Sequence, residues 1–96
     1  MEKDFEIGLN MINLSGKEAI VTGGGSGIGR GICSVLALAG ANVLVTDISG
    51  KSAEDTLKHC SYGGKFRARQ MDVTNENSID TIISEHIKDR KKIDIL

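Results

Sequence analysis

No proline and no tryptophan occur in this chain of 96 residues, and only Phe5, Tyr62 and Phe66 are aromatic. Without proline there is no rigid extended linker, and with so few rings the core must be aliphatic. An excess of charge is missing too, since 12 Lys and Arg stand against 13 Asp and Glu. Nothing here would hold a nucleic-acid backbone or an anionic membrane surface, so neither is expected as a partner. No apolar run approaches the ~20 residues that cross a bilayer. The opening Met1-Glu2-Lys3-Asp4 is charged and leads into no apolar stretch, so a signal peptide is not expected. The two cysteines, Cys33 and Cys60, have neither metal-ligand spacing nor the density of a disulfide framework. No metal site is expected, and the reducing cytoplasm is the expected location. A chain this short leaves a thin stability margin.

Glycine, by contrast, is abundant, with 12 in the chain. Residues 1–13 read as a polar arm, and regular patterning starts at Leu14. Glu18-Ala19-Ile20-Val21-Thr22 is a short apolar run ending at a glycine cluster, which predicts a buried strand. Ile28, Ile32, Val35, Leu36 and Ala39 then recur at helical spacing, with Gly40 placed to cap the helix end. Asn42-Val43-Leu44-Val45-Thr46 predicts a second strand, closed by Asp47. Ala53, Leu57 and Cys60 line a second helix, capped by Ser49 or Ser52, and Ser61-Tyr62-Gly63-Gly64 makes a turn. Lys65 to Met71 alternates as an edge strand should. Thr74 is placed to cap a third helix with Ile79, Ile82, Ile83 and Ile87 on one face. Ile93-Asp94-Ile95-Leu96 begins a fourth strand. Strictly alternating strands and helices predict an α/β fold with a parallel sheet. Both histidines, His59 and His86, fall at surface or helix-edge positions.

The turn between the first strand and first helix is Thr22-Gly23-Gly24-Gly25-Ser26-Gly27-Ile28-Gly29-Arg30. Bare backbone at a helix N-terminus lets N–H groups approach a pyrophosphate, and the helix dipole adds partial positive charge. It is not the G-x-G-x-x-G pattern, because Ile28 stands where the last glycine is needed. Nor is it a Walker loop, because Arg30-Gly31 stands where Lys-Ser/Thr is needed.

The spacing Thr22-Gly23-x-x-x-Gly27-x-Gly29 instead resembles the cofactor motif of the short-chain dehydrogenase/reductase (SDR) family. Leu14-Ser15-Gly16-Lys17 resembles the family's lead-in to its first strand. Asp72-Val73 resembles the pair that ends its third strand and meets the adenine. Ile93 to Leu96 resembles its fourth strand. The resemblance spans residues 14–96 and implies a Rossmann-like doubly wound parallel sheet, β-α-β-α-β-α-β, truncated after the fourth strand. Residues 14–96 would then be a partial dinucleotide-binding domain behind the arm of residues 1–13. It implies cofactor contacts from Gly23, Ser26, Gly27, Ile28 and Gly29, from Asp47 and Ile48, and from Asp72 and Val73.

Asp47 lies 18 residues after Gly29, at the end of the second strand. A carboxylate there accepts from the adenosine ribose hydroxyls and repels a 2′-phosphate. No Lys or Arg occupies positions 46, 48 or 24–26, so NAD rather than NADP is the expected cofactor. The bland alternative is that Asp47 only satisfies turn N–H groups. Asp72 likewise either meets the adenine or caps the turn before Thr74.

The family's catalytic Ser and Tyr-x-x-x-Lys pair have no counterpart in these 96 residues. Tyr62 is followed at the fourth position by Phe66, not Lys. The expectation is therefore an NAD-dependent oxidoreductase acting on a small alcohol or carbonyl substrate. It would be represented here by its cofactor-binding half, with no catalytic residue and no activity alone. A full-length form would be a homo-oligomer. The alternatives are a non-catalytic NAD-binding module and a truncated, non-functional fragment.

Overall fold

A strand buried on both faces needs an uninterrupted apolar run, and Ala19-Ile20-Val21 supplies one. In a computed structural model, which describes residues 13–60 and 65–96, it lies in β1 (Glu18–Val21). There follow α1 (Gly27–Leu38), β2 (Asn42–Asp47), α2 (Gly50–His59), β3 (Phe66–Gln70) and α3 (Glu76–Arg90). The strands are parallel and lie in the order β1-β2-β3. Ala19 stands opposite Val43, and Val45 opposite both Val21 and Ala68. This is the parallel α/β arrangement that the alternation predicts, in the Rossmann-like form that the resemblance implies. The arm, apart from Asn13, and the turn at Ser61–Gly64 lie outside the described residues.

Successive strand residues point to opposite faces, and two core layers result. Ala19, Val21, Val43 and Val45 pack with Cys33 and Ala37 of α1 and Ala53 of α2. Ile20 and Leu44 pack with Met71 and Ile82 on the α3 side, where Ile79, Ile83 and Ile93 join them. On β3, Phe66 and Ala68 join the first layer. Arg67 and Arg69 on the other face pair with Asp89 and Glu85 of α3.

Four expectations are corrected. The fourth strand is a single bridge, Ile95 against Ala19, on the edge of β1 that β2 leaves open. Ile20 N–H donates to Ile95 O, and Ile95 N–H to Glu18 O. Beside them the Asp94 side chain, rather than a backbone carbonyl, accepts from Glu18 N–H at 2.8 Å.

The face of α1 that meets the sheet is not the isoleucine stripe. Ile28, Ile32 and Val35 are 85%, 47% and 40% exposed, while Cys33 and Ala37 are fully buried. The helix starts against the glycine turn, where a Cβ on Gly24 would stand 2.7 Å from Val45 and 3.2 Å from the Cys33 sulfur. Only the small-residue row Gly29, Cys33, Ala37, at i, i+4 and i+8, fits so close an approach.

The third helix is capped by Asn75, whose side chain accepts from Ser78 N–H. Thr74 bonds Asp72 instead. Finally, His86 is buried, 2% exposed. Its Nδ1 lies 3.1 Å from Arg67 Nη2 and its Nε2 3.0 Å from Lys92 O. A guanidinium cannot accept, so Nδ1 is the acceptor and Nε2 carries the proton. On the same helix Ile87 is 42% exposed.

The other local signals behave as read. Gly40 has φ 99°, and the bonds Gly40 N–H to Ala37 O and Ala41 N–H to Leu36 O close α1 in a Schellman motif. Ser49 caps α2 by accepting from Ser52 N–H.

Candidate functional site

Parallel strands all end on one side of a sheet, and their carboxyl ends are where open α/β folds place ligands. The glycine turn follows β1, Asp47 closes β2, and Asp72 comes two residues after β3. Met71 N–H donates to Asp47 O at 2.9 Å. Gln70 Nε2 donates to Ile48 O at 3.1 Å. The third strand end is thereby tied to the second, and every residue expected at the site falls on this one edge.

The turn is shaped by two left-handed glycines, Gly23 at φ 65° and Gly27 at φ 54°. A side chain at either would be strained. Gly29 is excluded from substitution for another reason: its Cβ would overlap the Gly23 carbonyl. At Gly25 a Cβ would stand 2.6 Å from Ser52 Cβ and 2.7 Å from Asp47 Oδ2. The bare backbone there lets the Asp47 carboxylate reach the turn. Asp47 Oδ2 accepts from Gly25 N–H and Oδ1 from Ser49 N–H, each at 3.0 Å. The bland reading of Asp47 as a turn acceptor is therefore met. It does not exhaust the carboxylate, since each oxygen keeps a second acceptor site.

Ser26 is the N-cap of α1, with extended backbone and no side-chain cap bond. The first N–H groups of α1 follow it, and a helix leaves those without internal acceptors. Ile28, Ile48 and Val73 are 85%, 64% and 58% exposed, apolar side chains standing around the edge. Asp72 Oδ1 accepts from Thr74 N–H at 2.9 Å and from Thr74 Oγ1 at 2.6 Å. These two bonds, the hydroxyl's first, hold its carboxyl below the usual carboxylate range. Asp72 thus closes the turn before Thr74 through Oδ1.

Two residues at the site were not anticipated. Arg30 donates from Nη2 to Gly25 O at 2.6 Å and from Nε to Thr56 Oγ1 at 3.0 Å. Thr56 Oγ1 donates to Gly24 O at 2.6 Å. Thr56 could have been flagged: it is a polar residue on the apolar face formed by Ala53 and Cys60. Cys33 and Cys60 are both free and buried. Burial, and then the nearby Cys60, push the Cys33 thiol up to about 11, so it is no nucleophile at neutral pH. Among the described residues no group of three or more His, Cys, Asp or Glu could hold a metal. Nor is any helix among them long and apolar enough to cross a membrane.

A parallel α/β sheet with a glycine turn and an acidic residue at its carboxyl edge defines a nucleotide-binding class of fold. Residues 17–96 match the family model described as short chain dehydrogenase. The chain belongs to that family. It is 40% identical over 75 residues to 2,5-dichloro-2,5-cyclohexadiene-1,4-diol dehydrogenase of Sphingobium indicum, covering 78% of this chain and 29% of that one. It superposes on a hydroxysteroid dehydrogenase from Escherichia coli with a TM-score of 0.82 and 35% identity, over 88% of this chain and 35% of that one. Two structures at 25% identity match with TM-scores of 0.81 and 0.82. The first is a metagenomic short-chain oxidoreductase in complex with NADP, matched over 85% of this chain and 38% of that one. The second is an oxidoreductase from Haemophilus influenza with bound NAD, matched over 91% and 32%. The chain therefore spans about a third of the length of the relatives it matches.

Proposed function

We propose that the carboxyl edge of this sheet binds NAD, and that the protein serves an NAD-dependent oxidoreductase of the short-chain type. The observation that carries this reading is the Asp47 carboxylate, fixed beside the turn by Gly25 and Ser49 N–H groups. It is presented where a ribose diol can donate to it and where a 2′-phosphate would be repelled. The fit to a dinucleotide rests on the open backbone at Gly23 and Gly27, where a Cβ would meet no atom within 4 Å, and on the uncapped start of α1.

Within this reading each residue has a distinct task. Gly23, Ser26, Gly27, Ile28 and Gly29 form the backbone cradle for the pyrophosphate. Asp47 orients the adenosine ribose, and Ile48 and Val73 border the adenine. Asp72, with Oδ1 engaged by Thr74, keeps Oδ2 for the adenine amino group. When bound, NAD supplies the hydride acceptor for a CH–OH carbon, or in its reduced form the donor to a carbonyl.

Related oxidoreductases carry either NADP or NAD, so the choice rests on this chain's own residues. Arg30, the cation nearest the turn in sequence, commits Nη2 and Nε to Gly25 O and Thr56. Substrate binding and proton exchange require an acid/base that these 96 residues do not supply, so the chain alone is inactive in this reading. A full-length form is a cytoplasmic homo-oligomer acting on a small alcohol or carbonyl compound.

Asp47→Ala tests the assignment. Losing a charge-assisted hydrogen bond costs roughly 1.5–3 kcal/mol, so NAD should weaken by about 10- to 150-fold. The preference for NAD over NADP should narrow with it. Calorimetry showing the same ratio of the two affinities in Asp47→Ala and wild type would remove Asp47 as the selector.

A further inference from the structure

The glycine turn faces a physical conflict. Gly24 and Gly25 must lack side chains to pack against Val45, Cys33, Ser52 and Asp47. Glycine, however, lets its flanking peptides rotate at little cost. Rotating the Gly25–Ser26 peptide would aim a carbonyl oxygen where an N–H is wanted, and a carbonyl facing a phosphate oxygen repels it.

The turn is nonetheless tied at four successive polar atoms. Gly24 N–H donates to Thr46 O at 2.9 Å. Gly24 O accepts from the Thr56 hydroxyl, Gly25 N–H donates to Asp47, and Gly25 O accepts from Arg30. Arg30 Nε in turn donates to the Thr56 hydroxyl, which joins the two carbonyl anchors. The clamp is built, since Thr56 is fully buried and its hydroxyl both donates and accepts. The peptides are trans, so C=O and N–H of each point in opposite directions. Holding Gly25 O on Arg30 therefore aims Ser26 N–H the other way, out of the turn. Among the described residues no protein acceptor takes that N–H.

We propose that Thr56 and Arg30 are positioning residues: together they lock the two glycine carbonyls inward, so that Ser26 N–H and the amides after it face the phosphates. This deepens the NAD reading above and rests on it. Neither residue touches the nucleotide. Thr56, on a different helix from the turn, couples α2 to the phosphate end of the site while Asp47 serves the ribose end.

The test is a titration of the chain with ADP and with adenosine, followed by NMR, in wild type, Thr56→Val and Thr56→Ser. Valine keeps the shape of threonine and leaves the Arg30 charge in place, so any loss reports geometry and not attraction at a distance. Thr56→Val should weaken ADP roughly tenfold or more, the scale of one charge-assisted bond, and leave adenosine unchanged. Thr56→Ser, which restores the hydroxyl, should bind ADP as wild type does. Far-UV circular dichroism checks the fold, and Thr56→Ala replaces valine if valine unfolds the chain. Equal losses for ADP and adenosine would reduce Thr56 to a general structural role, and no loss for either would overturn the clamp while leaving the site reading intact. Failure of wild type to bind ADP would overturn the site reading and the clamp with it.

Discussion

Single atoms decide much of the site. Asp47 is a turn acceptor and in the proposed site is also offered to a ribose, because a carboxylate has more acceptor positions than the two N–H groups use. Gly29 is the most constrained position, its Cβ overlapping the Gly23 carbonyl. Gly29→Val should therefore displace the turn and abolish nucleotide binding, with helix content by circular dichroism retained. Lys51→Ala, an exposed change, should bind NAD as wild type does. Retained NAD affinity in Gly29→Val would remove the turn from the binding site. The glycine spacing and Asp47 were legible in the sequence because backbone approach and charge placement are local demands. Arg30 and Thr56 were not, since their partners are carbonyls, which carry no residue identity, and Thr56 lies 26 positions from Arg30. His86 was misread for a similar reason. The partner of its Nδ1 is Arg67, on a different element.

Among the elements, the first three strands were the easiest to read. Apolar runs closed by Gly or Asp have few other structural uses, and the edge character of β3 shows in its alternation. The α1 face was misread because periodicity locates large apolar residues, whereas contact with the sheet at a tight turn selects small ones. The same approach leaves Ile28, Ile32 and Val35 facing outward. The terminal segment joins β1 by one bridge, reinforced by Asp94 accepting from Glu18 N–H. That bond, foremost, and Lys92 beside it hold the Asp94 carboxyl below its ordinary value. A lowered folded-state pKa contributes stability that is present above the unfolded value of ~3.9 and lost as pH falls through the folded one. Asp94→Asn should therefore be less stable than wild type at pH 7 in urea titrations, and the gap should close below about pH 4. A gap unchanged at pH 3 would show that the carboxylate charge contributes nothing there.

At the scale of the whole molecule, two core layers on a three-stranded sheet leave apolar surface on α1 and a single-bridge edge beside β1. The family relatives are about three times as long. The site proposed for this chain is an adenosine and pyrophosphate site whose selectivity is set by one carboxylate, Asp47. Titration of the wild-type chain with NAD and with NADP tests that claim most directly. Saturable binding of NAD, with NADP weaker by tenfold or more as expected from repulsion of its 2′-phosphate by Asp47, is the predicted result. NADP binding as tightly as NAD would contradict it.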